Sequence, residues 1–280
     1  MPDIQTTLTT ATKCLTATSD SASIDAEVLL CHALKKPRSH LRAWPEKQLT
    51  PEQQSLFQQL LEQRIHGTPV AYLTGTREFW SRDFKVNEHV LIPRPDTELL
   101  IELSLSLLSD KPNARIIDLG TGSGAIAITL AAELPDLEVW ATDQSEQALK
   151  VAQENAATHQ TQNIHFCLSN WFDSIKPSKF DLVISNPPYI DGDDPHLSQG
   201  DVRFEPDSAL IAHNNGLKDI ESITQQARHY LKPGSTLLIE HGYDQQIAVQ
   251  AIFNSFNYDN IQTHTDLSGN PRVTTGQWNP

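Results

Sequence analysis

From residue 114 onward, apolar β-rich runs and amphipathic helical runs take turns along the chain, and that alternation is the strongest constraint on its fold. ARIIDLG (114–120) reads as a short buried strand and SGAIAITLAAEL (123–134) as a helix. LEVWATD (137–143) reads as a second strand and SEQALKVAQENAATH (145–159) as a second helix. NIHFCLS (163–169) and FDLVISN (180–186) give two more strands. GLKDIESITQQARHYL (216–231) gives a helix stopped by Lys232-Pro233-Gly234, and STLLIEHG (235–242) a fifth strand. Such alternation predicts a parallel sheet covered on both faces. The tail NIQTHTDLSGNPRVTTG (260–276) predicts an antiparallel edge hairpin turned at Gly269-Asn270-Pro271.

The first seventy or so residues are of a different kind. Ile24, Val28, Cys31 and Leu34, with Leu29 and Leu30 beside them, recur at helical spacing. In TPEQQSLFQQLLEQRIHG (50–67), Thr50 is the expected N-cap, Pro51 the first helical residue and Gln53 the partner in a capping box. Leu56, Phe57, Leu60, Leu61 and Ile65 form the predicted apolar face, and Gly67 the C-terminal cap. Such a bundle can simply pack, or it can recognise a substrate. Phe79, Trp80, Phe84, Val86 and Val90 then suggest a hairpin ended by Pro93 and Pro95. The expected division is a helical domain over 1–75, a hairpin linker over 76–95 and an α/β domain over 96–280.

Composition narrows the function. Of 280 residues, 38% are hydrophobic, enough for a sizeable core. The formal net charge of −14 argues against a passive polyanion binder, which needs a basic footprint. The three cysteines, Cys14, Cys31 and Cys167, lie far apart without CxxC spacing, so neither a disulfide framework nor a structural metal site is expected. MPDIQTTLTT lacks the basic and apolar regions of a secretion signal, and no apolar run is long enough to cross a membrane. A cytoplasmic location is the expectation.

DLGTGSGAIA places Gly120, Thr121, Gly122, Ser123 and Gly124 where the first strand of the sheet meets its helix. Glycines there allow a tight turn and the close approach of a ligand. Asp143 ends the second strand, at the spacing from which a carboxylate reaches a ribose hydroxyl. This pattern fits a nucleoside-bearing ligand without saying which. A dinucleotide match through Gly122, Gly124 and Ala127 has no His, Tyr or Lys constellation to make it a dehydrogenase.

Asn186, Pro187, Pro188 and Tyr189 follow the fourth strand, and ligands of open α/β sheets bind beyond the carboxyl ends of strands. An amide or aromatic amine nitrogen is a poor nucleophile because its lone pair is delocalised. The Asn186 side-chain oxygen and the Pro187 carbonyl, the latter stiffened by proline, are two acceptors able to orient such a nitrogen. Tyr189 offers an aromatic face for the target group or a sulfonium. Positioning and electrostatics then carry the reaction without a strong base. Asp118 can order the loop or face a ligand's ammonium. His241 is expected at the solvent, Glu240 beside it is ambiguous, and Trp44, Trp80, Trp140 and Trp278 are expected to pack.

The glycine loop and NPPY together resemble class I S-adenosylmethionine-dependent methyltransferases of the amino-methylating branch. GTPVAYLTGTREFWSRDFKVNEHVLIPRPDTE (67–98), FEPDSAL (204–210), LLIEHGYDQ (237–245) and DLSGNPRV (266–273) resemble the release factor glutamine methyltransferases (PrmC/HemK), over nearly the whole chain. The resemblance implies a Rossmann-like α/β domain, with a seven-stranded, mostly parallel sheet and an antiparallel C-terminal hairpin, preceded by a small helical domain that helps bind release factor. It implies methyl transfer from S-adenosylmethionine, without a metal, to the side-chain amide nitrogen of the glutamine in the release factor's Gly-Gly-Gln motif. No membrane or direct nucleic-acid partner is implied. Gly120, Thr121, Gly122, Ser123 and Gly124 would bind the cofactor, Asp143 its ribose, and Trp171 would lie near its adenine. Asn186, Pro187, Pro188 and Tyr189 would hold the glutamine, with Asn186 and Pro187 catalytic and Asn186 also near the methyl donor. Two positions depart from the family pattern: Asp96 stands where glutamate is usual, and Asn170 where an acid is common. The alternatives are a nucleic-acid adenine methyltransferase, which should carry a basic recognition region, and a catalytically dead cofactor-binding protein, against which the intact NPPY argues.

Overall fold

A computed structural model describes residues 2–280, which fall into two compact units: residues 2–76 with Ser198–Phe204, and Arg77–Leu197 with Glu205–Pro280. The first unit contains α1 (Ile4–Leu15), α2 (Ala22–Leu34), α3 (Arg38–Ala43), α4 (Pro51–Ile65) and α5 (Val70–Thr74). The predicted capping box opens α4: the Gln53 amide donates to Thr50 Oγ1 at 3.3 Å, and the Thr50 amide to Gln53 Oε1 at 3.0 Å. Phe57 and Leu60 are buried, but Leu56 is exposed, because the face that packs on α2 is narrower than the run of apolar residues. In α2 the buried stripe is Ala26, Leu29, Leu30 and Ala33, and Ile24, expected on the apolar stripe, points to solvent. Trp44 is half exposed against His40 rather than packed inside.

A buried guanidinium closes this unit. Arg64 Nε donates to Asp25 at 2.7 Å and its Nη1 to Asp201 at 2.6 Å, and Nη1 also reaches the carbonyls of Gly67 and Thr68. Asp201 lies on the seven-residue stretch that follows the NPPY segment and returns to the second unit at Glu205.

A hairpin follows, β1 (Thr76–Phe79) and β2 (Arg82–Lys85), all but Thr76 in the second unit, and its two turn residues, Trp80 and Ser81, both have positive φ, as the twist of a tight hairpin demands. Then come α6 (Glu98–Leu108), β3 (Arg115–Leu119), α7 (Ala125–Glu133), β4 (Glu138–Asp143), α8 (Glu146–Thr158), β5 (Ile164–Leu168) and β6 (Phe180–Ser185). The chain closes with α9 (Lys218–Ala227), β7 (Leu231–Glu240), α10 (Gln246–Ser255), β8 (Tyr258–Thr265) and β9 (Pro271–Trp278). The seven-stranded sheet has the order β5-β4-β3-β6-β7-β9-β8, parallel except at β9 and β8, as the alternation predicted.

Residue alternation builds a core on each face. Ile116, Leu182, Ile184 and Leu238 pack with α6 and α7, and Ile117, Val183, Leu237 and Ile239 face the side of α9 and α10. Lys232-Pro233-Gly234 does not end a helix at residue 231. The α9 helix stops at Ala227, and these residues bulge within β7, where five steps of that strand oppose two of β6. Helices α6 and α10 have no counterpart in the sequence-based expectation. The α6 segment is apolar nearly all round, and so shows no amphipathic period. No helix of the described residues is long and apolar enough to cross a membrane.

Candidate active site

Register sets the site. Leu119 pairs with Thr142 on one side and Ser185 on the other, and Ser185 pairs with Ile239. The next residues, Gly120, Asp143, Asn186 and Glu240, therefore stand in one row across four parallel strands at their carboxyl ends. A cleft of about 900 Å³, open solvent included, lies there. Gly120, Thr121, Gly122, Ser123, Asp143, Trp171, Asn186 and Pro188 line it, together with Arg94, Thr97, Gln144 and Asn170. Gly124, Pro187 and Tyr189 do not.

The glycine loop is held by its neighbours. The amides of Gly120 and Thr121 donate to the Thr142 carbonyl at 2.9 and 2.8 Å. Asp143 accepts from the Gly122 amide and from the Ser145 amide, both at 2.9 Å. Burial raises the Asp143 carboxyl, and these two amides oppose the rise. Gly122 has φ of +55° with open space where a Cβ would be, so a ligand can approach its backbone. Gly124, at φ +82°, is needed for packing: a Cβ would come within 2.6 Å of Ile128 and 3.1 Å of Ala152. Beneath the loop, Asn155 of α8 donates to the Ser123 carbonyl at 2.8 Å and exchanges two further bonds with Lys85.

Asp118 is fully buried. Thr121 Oγ1 donates to its Oδ2 at 2.6 Å, and Oδ1 has no hydrogen-bond partner. Burial pushes its carboxyl up to about 7. Trp171, at φ +48°, sets its ring beside Gly120, 3.3 Å from where a Cβ would stand. Asn170 is exposed and donates to Asp173 at 3.4 Å.

Asn186 Nδ2 donates to Thr97 Oγ1 at 3.2 Å, at the entry to α6, which leaves Oδ1 able to accept, and the residue borders the cleft. Pro187 is buried. Tyr189 turns inward against the core on the α9 and α10 side, and its hydroxyl lies 3.4 Å from Glu240 Oε1. Burial, and then the charge of Glu240, raise the tyrosine far above its ordinary value. Gln245 clamps the backbone here, donating to the Tyr189 carbonyl at 2.9 Å.

Glu240 is itself buried, and burial pushes it up to about 7. The Thr97 hydroxyl, Arg272 and the Tyr189 hydroxyl oppose that rise, and Asp96 adds to it. Arg272 reaches Asp96 at 3.2 Å and Asp266 at 3.4 Å, so the shorter acid at position 96 still finds a cation. Arg94, at the cleft, pairs with fully buried Glu205 of the FEPDSAL segment, which also accepts from the Ile92 amide at 3.1 Å.

His241 is buried rather than at the solvent. Its Nδ1 lies 2.8 Å from the Gly242 carbonyl, which can only accept, and its Nε2 lies 2.8 Å from Thr274 Oγ1. Nδ1 therefore carries a proton, and burial lowers the pKa of the ring. Thr97, Arg94, Glu205, Gln245 and Asn155 were not singled out from the sequence, although Glu205 and Gln245 lie in segments that carry the family resemblance. Among the described residues, no group of three or more His, Cys, Asp or Glu converges as a metal site.

Comparison with known proteins agrees with this fold. Residues 6–75 match the family described as PrmC N-terminal domain, and residues 110–275 the family described as methyltransferase domain. A solved methyltransferase from Pyrococcus furiosus shares the fold, with a TM-score of 0.54 at 13% identity over 78% of this chain and 98% of its own. The release factor glutamine methyltransferase of Escherichia coli K12 is 47% identical over 260 residues, 93% of this chain and 94% of its own. That of Aliivibrio fischeri is 50% identical over 262 residues, 93% of this chain and 92% of its own. With such identity across both parts of its length, the chain belongs to the release factor glutamine methyltransferase family.

Proposed function

We propose that this chain methylates the side-chain amide nitrogen of the glutamine in the Gly-Gly-Gln motif of peptide chain release factors, with S-adenosylmethionine as the methyl donor. The residues fit that donor: a cleft of suitable size, an open backbone approach at Gly122, and the Asp143 carboxylate one strand away. The donor supplies an activated methyl on a sulfonium. Gly120, Thr121, Gly122, Ser123 and Asp143 would hold it, Gly124 would serve the loop by packing on α8, and Trp171 borders the loop.

The observation that carries the proposal is the direction of the Asn186 carboxamide. With Nδ2 given to Thr97, Oδ1 is available to accept an N–H of the substrate amide. The Pro187 carbonyl is the second acceptor. An amide held by both N–H groups keeps its nitrogen lone pair aimed at the methyl. The N–C bond forms as the S–C bond breaks, and the nitrogen loses one proton to solvent. Most of the rate gain is positioning and electrostatic complementarity. Asn186 and Pro187 are the catalytic residues in this scheme, Pro188 shapes the substrate side, Tyr189 supports the element from the core behind it, and residues 1–75 help to bind the release factor.

Purified release factor and duplex DNA, each incubated with methyl-labelled S-adenosylmethionine, test the proposal. Label is expected on the Gly-Gly-Gln glutamine of the release factor and not on DNA. Label on adenine, or on neither, overturns it.

A further inference from the structure

The two prolines of the NPPY segment give its backbone nothing with which to hold itself. Pro187 and Pro188 have no N–H, and among the described residues no backbone amide donates to either of their carbonyls. Upstream the chain is fixed at Ser185, which pairs in the sheet and whose hydroxyl donates to the Leu119 carbonyl at 2.8 Å. Downstream, the Ile190 amide donates to the Leu210 carbonyl and the Ala212 amide to the Ile190 carbonyl, both at 2.9 Å. The direction of the Pro187 carbonyl therefore depends on how the ends of this short span are held. The nearest hold after it is on the Tyr189 carbonyl.

That hold is the carboxamide of Gln245, at the start of α10. Its Nε2 donates to the Tyr189 carbonyl at 2.9 Å and to the Asn215 carbonyl at 3.2 Å, and its Oε1 accepts from the Gly242 amide at 2.8 Å. An amide on one side and two carbonyls on the other permit only this placing of oxygen and nitrogen. Gln245 stands at the N-cap position of α10, yet its side chain makes no cap bond there. In the turn before α9, three residues in a row, Asn214, Asn215 and Gly216, have left-handed φ of +59°, +54° and +78°. They bring the chain so close that a Cβ on Gly216 would lie 2.0 Å from the Tyr189 oxygen and 2.8 Å from Gln245 Nε2. A run of left-handed residues persists only where its surroundings fix it. Here it closes on one carbonyl.

We propose that Gln245 is a positioning residue for methyl transfer: by holding the Tyr189 carbonyl against the 214–216 turn, it fixes the direction of the Pro187 carbonyl two residues earlier. The rings set φ at Pro187 and at Pro188 and restrict the residue before each, so little freedom is left between Asn186 and Tyr189 to absorb a shift. The consequence for turnover rests on the glutamine-methylation reading above.

Two substitutions separate the bonds of this carboxamide. At pH 8, Gln245→Glu keeps an acceptor for the Gly242 amide and removes the donor to Tyr189, whereas Gln245→Met removes both at similar length. Each is expected to lower kcat on release factor about tenfold, the effect of one hydrogen bond made out of line at the reacting group. KM and the S-adenosylmethionine Kd are expected to stay within about threefold, since a misaligned acceptor costs the transition state more than the bound state. A second readout needs no substrate. The chain has a single Pro-Pro pair, so protein labelled with 13C-carbonyl, 15N-proline gives one signal from a directly bonded carbonyl and nitrogen, that of Pro187 with Pro188. This signal should move or split in both variants. An unmoved signal overturns the inference. So does a Gln245→Glu enzyme with wild-type kcat beside an impaired Gln245→Met, which assigns the side chain to the Gly242 turn alone, or a cofactor Kd that weakens as much as kcat. A wild-type enzyme that leaves glutamine unmethylated overturns the functional reading alone, and the proline signal still decides this one.

Discussion

The glycine loop and the NPPY element stand side by side at the edge of one sheet and are held in opposite ways. The groups that anchor the loop come from the end of β3 that leads into it, from the adjoining end of β4 and from α8: the Asp118 carboxyl, the Thr142 carbonyl, the Asp143 carboxylate, the Asn155 amide. The NPPY element is oriented by groups distant in sequence, Thr97 from the entry to α6, Glu240 from β7 and Gln245 beyond it. A backbone cradle needs only the right turn and a neighbouring acceptor. A side chain that must present one of two similar faces needs a network behind it, and only tertiary packing can assemble one.

That contrast can be tested by separating binding from turnover. The largest effect is expected from Asn186→Ala, which should lower kcat about 10²–10³-fold, the range for loss of one group that stabilises the transition state. Its S-adenosylmethionine Kd, measured by calorimetry, should move by less than about threefold. Equal losses in both would erase the distinction between the two elements. Asp143→Ala should do the reverse. Removing a carboxylate that accepts two backbone amides costs about 1.5–3 kcal/mol, read as a cofactor Kd raised about 10- to 100-fold with kcat at saturation changed much less. Gly124→Ala should show in neither constant first but in urea unfolding, losing about 1–3 kcal/mol, because a β-carbon there meets Ile128 in a backbone region that disfavours it.

The smallest effect is one of pH. The folded state holds the Asp118 carboxyl near 7, above its unfolded value of 3.8, so between these values the folded chain binds more protons than the unfolded one. The stability this group contributes is complete below pH 3.8 and lost as pH rises through 7. Asp118→Asn should therefore gain in Tm relative to wild type as pH is raised from 5 to 8, and a constant difference across that range would count against a buried, proton-holding Asp118.

How much was legible in the sequence follows the same division. The capping box at Thr50, the parallel sheet implied by βα alternation, and the positions of the glycine loop and Asp143 at strand ends all depend on residues close together in the chain or on one period, and the structure places them as expected. Leu56 and Ile24 show where periodicity stops short: an apolar residue at helical spacing is buried only if a neighbour covers that face. The bulge at Lys232-Pro233-Gly234 shows that proline and glycine can interrupt a strand as well as end a helix. His241 reads as a polar residue after a strand, and only β9, arriving some thirty residues later with Thr274, makes it a buried one. Thr97 carries no signal at all, since nothing local tells a threonine before a helix from one that holds an asparagine across the sheet edge.

The Arg64 anchor has a practical consequence for anyone wishing to study the two units apart. A fragment starting at residue 77 would still carry Asp201 and its neighbours, stripped of the guanidinium they fold around, while the complementary fragment would keep Arg64 against Asp25 with its second carboxylate gone. Trimming the gene at that boundary alone yields two damaged halves; an excision that also replaces residues 198–204 with a short polar linker is the cleaner cut.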